Sequence, residues 1–237
     1  MDLETKSNLE KISVATISMQ LLKRGIRHCA MAGVRPLNVP FKPFVGEAFT
    51  LRNIPMREDL SSLELLGHRE NAQRRAIEEA TAGAVLVIDG RTRSDVAVLG
   101  DILIERLKVR GVKALVTDGG IRDAEECLKT DFPIYAAGPA SPASITFHFA
   151  ADLQCPIGCG GVAVIPGDII AADGDGVIVI PKDLASEISR DGVEQERYER
   201  FAKLRVSEGR AVRGIYPPND EAKAEYAAWL ANGEPET

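Results

Sequence analysis

Cysteines, aromatic residues and long apolar runs are all scarce in this chain of 237 residues, which has 4 cysteines, 1 tryptophan and 5% aromatic residues. Cys29, Cys127, Cys155 and Cys159 are too few to staple a fold of this length. No charged-then-apolar leader precedes them, so free thiols in a reducing cytoplasm are expected. No apolar run approaches the ~20 residues that span a bilayer. Even the segment from Gly161 to Ile170 is soon broken by Asp173 and Asp175. A long Lys/Arg cluster is missing too, and the net charge is -6, which argues against a nucleic-acid groove and against an anionic membrane surface. What is present is a hydrophobic content of 45%, ample for a well-buried core without metals or crosslinks.

Apolar spacing through Leu9, Ile12, Ile17, Leu21 and Leu22 predicts one amphipathic first helix, with Thr5 or Ser7 as its N-cap. A strand is expected from Gly46 to Ile54, after the Pro-rich connection at Pro36, Pro40 and Pro43. Leu63, Leu66, Ala76 and Ile77 suggest two short helices between Leu60 and Ala80, interrupted near Gly67. The middle is more regular. Ala84 to Ile88 reads as a buried strand closed by Asp89-Gly90, Gly100 to Arg110 as a helix, Val112 to Val116 as a second strand, and Arg122 to Leu128 as a helical start. That order implies parallel strands joined by a right-handed crossover, with strand ends and helix beginnings on one side. Short β-like runs follow at Ile145 to Phe149, Gly161 to Ile165, Asp168 to Ala172 and Val177 to Ile180. A polar helix is expected from Asp183 to about Ser207, and a last one around Ala222 to Leu230 beyond Pro217-Pro218. The expected organisation is an α/β domain over residues 1–209 and a C-terminal extension over 210–237.

The chemistry concentrates in Gly100-Asp101-Ile102-Leu103 and Gly119-Gly120-Ile121-Arg122-Asp123, with twenty residues between Asp101 and Arg122. One helix and one strand fill that interval, so both segments return to one edge of the sheet, where the free amides of a helix N-terminus can hold a carboxylate. Gly119 and Gly120 are expected to turn tightly and let a ligand approach the main chain. Arginine grips carboxylate or enolate oxygens through a planar fork, and aspartate suits a hard, oxygen-preferring cation. The blander account has Asp101 capping a helix and Arg122 and Asp123 forming a surface ion pair.

The spacing Gly100-Asp101, twenty residues, then Arg122-Asp123 resembles the Asp-X20-Arg-Asp signature of the class II pyruvate aldolases of the 4-hydroxy-4-methyl-2-oxoglutarate aldolase type, the RraA-like family. That family also includes the regulator of ribonuclease E activity A. Further likeness lies in Gly83 to Gly90, Phe132 to Tyr135, Pro166-Gly167-Asp168 and Asp173 to Val177, so that it covers roughly residues 45 to 185. The resemblance implies a swivelling β/β/α fold, here with helical N- and C-terminal extensions, assembled as a homotrimer or a dimer of trimers with active sites near subunit boundaries. It implies a lyase that cleaves a small 2-oxo acid, a 4-hydroxy-2-oxo acid or oxaloacetate, through a pyruvate enolate. Asp123 would hold Mg²⁺ or Mn²⁺ with waters completing the shell, and Arg122 would contact the 2-oxo oxygen. The backbone of Gly100, Asp101, Ile102 and Leu103 would bind the pyruvyl carboxylate, while Asp101 would position a proton-shuttling water. A neighbouring subunit could add an acid, with Glu194, Glu196 and Glu199 as candidates, although solvated helix surface suits them as well. The chain departs from shorter family members by the extension from Arg210 to Thr237 and by residues before Phe41.

Rival sites are less complete. Cys155-Pro-Ile-Gly-Cys159 lacks the second ligand pair of a tetrahedral zinc site. His28, His68 and His148 are scattered and have no Gly-X-Ser-X-Gly elbow, and His148 reads as a strand histidine. Gly174-Asp-Gly reads as a hairpin turn, and Lys108 and Lys113 read as solvent-facing rather than as a Schiff-base lysine. The competing function is a non-catalytic regulator that binds a ribonuclease or another protein, which the same fold can support.

Overall fold

The computed structural model describes residues 1–38 and 40–234. Its helices are α1 (Leu3–Leu9), α2 (Val14–Lys23), α3 (Ala72–Glu79), α4 (Asp101–Val109), α5 (Ala124–Leu128), α6 (Ala185–Ser207) and α7 (Asp220–Ala231). Its strands are β1 (Arg35–Pro36), β2 (Phe44–Pro55), β3 (Val85–Ile88), β4 (Ala97–Leu99), β5 (Ala114–Thr117), β6 (Gly120–Ile121), β7 (Ile134–Ala136), β8 (Gly138–Pro139), β9 (His148–Leu153), β10 (Ile157–Cys159), β11 (Val162–Val164), β12 (Ile169–Asp173) and β13 (Gly176–Ile180).

The first helix of the sequence reading is two helices. Asp2 accepts from the Thr5 amide and caps α1, and Ser13 accepts from the Thr16 amide and caps α2. Each cap is worth about 1 kcal/mol. The chain therefore re-nucleates at Ser13, and Thr5 lies inside α1 rather than before it. Leu9, Ile12, Ile17 and Leu21 are buried on β12, β13 and α6, as their spacing requires, whereas Leu22 is exposed. Residues 144–146 form a 3-10 turn, so the strand expected from Ile145 begins only at His148.

The main sheet runs β1-β7-β5-β3-β2-β12-β13, with β9 also paired to β2. β2, β3, β5 and β7 are mutually parallel, and β12 and β13 form an antiparallel hairpin around Gly174. The run from Val85 to Ile88 is uniformly apolar because both sheet faces are covered. Leu86 and Ile88 pack with Phe49, Leu51, Ile77, Ile104 and Leu107 beneath α3 and α4, while Val85 and Val87 face Val116, Tyr135, Val162 and Val164 on the other side. The last helices add a small aromatic core of Phe201, Ile215 and Trp229, with Tyr198 and Tyr226 against it.

A second, three-stranded sheet positions the candidate site: β4, β6 and β8 lie side by side and parallel. Leu99, Ile121 and Pro139 are in register, so the residues that follow each of them emerge from one edge. The buried carboxylate of Asp118 ties nearby turns together. Its Oδ1 accepts from the Gly90 amide at 2.7 Å, and its Oδ2 accepts from those of Thr92 at 3.2 Å and Gly160 at 3.1 Å.

Candidate active site at the edge of the small sheet

β4 ends at Leu99, and Gly100 opens α4 in extended backbone with no side-chain cap. The first amides of this helix lack helical acceptors, and its N-terminal end is electropositive. Asp101 Oδ1 accepts from the Ile102 amide at 2.8 Å. β6 then delivers Arg122, whose amide donates to the Leu99 carbonyl at 2.9 Å, and Asp123 follows directly. Asp123 adopts φ 53 and ψ 40, the left-handed region that L-residues seldom occupy and that aspartate tolerates better than most. This turn brings the Asp123 carboxylate over the start of α4, so that a Cβ on Gly100 would lie 2.8 Å from Asp123 Oδ2.

Arg122 and Asp123 line one open cavity of about 530 Å³, together with Asp95, Ile121, Ala124, Pro139, Ala140 and Ser141. They do not pair with each other, and among the described residues neither side chain has a hydrogen-bond or ion-pair partner. Most other acidic and basic side chains near the two strand ends are engaged. Arg93 grips Asp95, Arg106 holds Glu78 and Lys129 holds Glu126. Asp101 and Ile102 line a second groove over α4 and α5, with Glu105, Arg106, Val109, Glu126 and Thr130. The thiol of Cys127 lies under both parts of the site. Burial pushes it up to about 11, and the carboxylates of Asp101 and Asp123 add to the effect.

The fold thus gathers Gly100, Arg122 and Asp123 at one point and sets Asp101 with Ile102 and Leu103 on the adjoining first turn of α4. The paired glycines act differently from expectation. Gly119 and Gly120 are fully buried, and a Cβ at Gly120 would lie 2.4 Å from Ala140 Cβ and 2.9 Å from the Ser94 carbonyl. They let the strands of the small sheet approach, while the glycine beside the charged groups is Gly100. Asp95 and Ser141 escaped the sequence reading because nothing in their local spacing marks them. Only the pairing of β6 with β8 brings position 141 beside position 123.

The remaining candidates have other partners. Glu196 accepts from the amide and hydroxyl of Ser13, Glu194 from the Tyr226 hydroxyl and Glu199 from that of Tyr216. Cys155 and Cys159 are free thiols on the other face of the main sheet, and Cys159 is buried and pushed far above the usual thiol range by that burial. His148 is 3% exposed, and among the described residues its Nε2 has no hydrogen-bond partner. No helix among the described residues is long and apolar enough to cross a membrane.

Comparison with known proteins agrees with this architecture. Streptomyces coelicolor RraAS2, described as an unusual member of the RNase ES inhibitor RraA protein family, superimposes with a TM-score of 0.78 at 32% identity, covering 86% of this chain and 98% of that one. An uncharacterised Pseudomonas syringae protein shares the fold with a TM-score of 0.77 at 24% identity, covering 91% of this chain and 98% of its own. A Halalkalibacterium halodurans protein provisionally named 4-hydroxy-4-methyl-2-oxoglutarate aldolase is 33% identical over 134 residues, which are 56% of this chain and 63% of that protein. Legionella pneumophila DlpA is 28% identical over 179 residues, 76% of this chain but only 28% of DlpA. The chain thus spans less than two thirds of the length of either of these two sequence relatives. The family model described as RraA-like, Aldolase/RraA, matches residues 14–179, and the chain belongs to that family.

Proposed function

We propose that the chain is a divalent-metal-dependent lyase that cleaves a carbon–carbon bond in a small 2-oxo acid by way of a pyruvate enolate. One observation carries this reading: an unpaired guanidinium and an unpaired carboxylate, adjacent in sequence, share one cavity, and the carboxylate lies against Gly100 at the start of α4. A surface ion pair would have closed Arg122 on Asp123. Leaving both charges unmatched has a purpose if a ligand brings the missing partners.

The donor set fits a hard cation. Asp123 offers free carboxylate oxygens, and among the described residues no group of three or more His, Cys, Asp or Glu side chains could form an all-protein cage. Mg²⁺ and Mn²⁺ suit a site of one carboxylate completed by water and substrate. When bound at Asp123, such an ion supplies Lewis-acid polarisation of the 2-oxo group.

The chain's own residues do the rest in this reading. The backbone at the start of α4, from Gly100 to Leu103, receives the substrate carboxylate, which takes over the Ile102 amide from Asp101 Oδ1. Arg122 donates to the 2-oxo oxygen and favours the enolate over the ketone, because its charge is fixed before the reaction begins. Asp101 orients a water that carries a proton to or from the methyl carbon. The working form is a trimer or a dimer of trimers in the cytoplasm, as the resemblance implies, with residues 1–209 as the catalytic domain and the rest as an extension.

The direct test incubates the purified chain with Mg²⁺ and pyruvate in D₂O and follows deuterium entry into the methyl group by NMR, alongside pyruvate release from oxaloacetate. Metal-dependent exchange and release are expected. Neither activity with Mg²⁺ or Mn²⁺ would overturn the reading in favour of a regulator that acts by protein contacts.

A further inference from the structure

The small sheet works as a ruler. Its strands end in the order β4, β6, β8, all pointing the same way. Gly100 and Asp101 follow the first, Arg122 and Asp123 the second, and Ala140 and Ser141 the third. Adjacent strands lie about 4.8 Å apart, so the first and third ends are about 10 Å apart. In the reading above, a 2-oxo acid sets its carboxylate at the first end and its oxo group at the second. The rest of the molecule, beyond the bond that breaks, then lies at the third end.

That end has a definite chemistry. The cavity wall beyond Arg122 and Asp123 carries Asp95, Pro139, Ala140 and Ser141, and among the described residues no lysine or second arginine lines it. Asp95 is held fast: its Oδ1 accepts from Arg93 Nε at 2.7 Å and its Oδ2 from Arg93 Nη2 at 2.8 Å, while the same guanidinium sits 4.4 Å from the centre of the Phe147 ring. A carboxylate has about four acceptor positions. Asp95 therefore keeps acceptor capacity for hydroxyl donors, and the Ser141 hydroxyl, which lines the same cavity, can donate or accept.

Resting on the reading above, we propose that Asp95 and Ser141 select the leaving portion of the substrate, and that they select a neutral, hydroxyl-bearing tail over one that ends in a carboxylate. Arg93 already offsets the charge of Asp95, so this wall is neutral and hydrogen-bonding, and among the described residues it offers a second carboxylate no unpaired cation. The substrate class is then a polyhydroxylated 4-hydroxy-2-oxo acid. In its cleavage the 4-hydroxyl loses its proton and the C3–C4 bond breaks. Its electron pair passes into the pyruvate enolate, which takes a proton at C3, and the tail leaves as a hydroxyaldehyde. No oxidant or reductant is involved.

The experiment compares 4,5,6-trihydroxy-2-oxohexanoate with 4-hydroxy-2-oxoglutarate as substrates of the full chain with Mg²⁺, reading kcat/KM for pyruvate release. The polyhydroxy acid is expected to be preferred by about 10-fold or more. Asp95→Lys should invert that ratio, and Asp95→Asn should shrink it, with circular dichroism confirming that each variant folds. Deuterium exchange into pyruvate by the unaltered chain reports on Arg122, Asp123 and the segment from Gly100 to Leu103 and not on Asp95 or Ser141, since pyruvate has no tail. Exchange together with a preference for the dicarboxylate, or with a ratio indifferent to Asp95→Lys, would overturn the selectivity and leave the lyase standing. Absence of exchange and of cleavage for both substrates would overturn both.

Discussion

Asp123 occupies the space that a side chain at Gly100 would need: a Cβ there would sit 2.8 Å from Asp123 Oδ2 and 3.6 Å from Arg122 Cβ. The contact joins the two segments of the motif, and it explains why the start of α4 is a glycine rather than one of the residues that usually cap helices. A Ser or Asp side chain at position 100 would answer the free amides itself and push the Asp123 carboxylate away.

Gly100→Ala tests this directly. The backbone of Gly100 has φ -127 and ψ -177, which alanine adopts freely, so folding should be little affected. Pyruvate release should fall about 10-fold or more as the carboxylate shifts, because small misplacements at a reacting centre are costly. The check is kcat/KM with a thermal melt alongside.

Arg122→Ala should lower kcat by about 100-fold or more, the scale seen when one preorganised donor to a developing oxyanion is lost. Lysine at that position should recover little of it, since it lacks the planar fork. Both side chains are exposed and unpaired, so the folded state should survive. Asp123→Ala should remove activity together with its response to added Mg²⁺, measured by titrating metal into the apo protein.

Asp118→Ala should cost stability rather than chemistry in the first instance. Three backbone amides, those of Gly90, Thr92 and Gly160, would lose their shared acceptor. Loss of about 3 kcal/mol in urea denaturation is expected, since a buried donor without an acceptor costs about 1–3 kcal/mol.

His148 predicts a pH dependence of stability. Burial pushes its imidazole below the ordinary histidine value of 6.5, with Arg91 and Arg93 adding to the effect. The unfolded chain therefore binds a proton at a higher pH than the folded one. Stability from this group is complete above pH 6.5 and declines as the pH falls through the depressed folded value. Denaturation midpoints measured between about pH 7 and pH 5 should show this slope, and His148→Leu should reduce it.

Much of the architecture was legible in the sequence because period and burial are local signals. The run from Val85 to Ile88 and the spacing of Ile104 and Leu107 announce a two-sided sheet and the helix that covers it. The break between α1 and α2 was hidden because Leu9, Ile12 and Ile17 keep nearly helical spacing across it, and only the Ser13 cap marks the restart. Strands β4, β6 and β8, of two or three residues each, are too short for periodicity to reveal. The motif from Gly100 to Asp123 marked residues that the fold does bring together, but Gly119 and Gly120 pack between strands instead of facing a ligand, since close strand packing and ligand approach leave the same mark in a sequence. Asp95 and Ser141 join the site only through that strand pairing.

The small sheet also bears on how such proteins diverge. Its three strands contribute little to the hydrophobic interior apart from Val98, Leu99 and Ile121, whereas the segments leaving its edge line the candidate cavity. Tails beyond β8 can therefore be exchanged over generations while the large sheet keeps its register. On the proposed function, a single scaffold can in this way acquire a new substrate repertoire without having to refold.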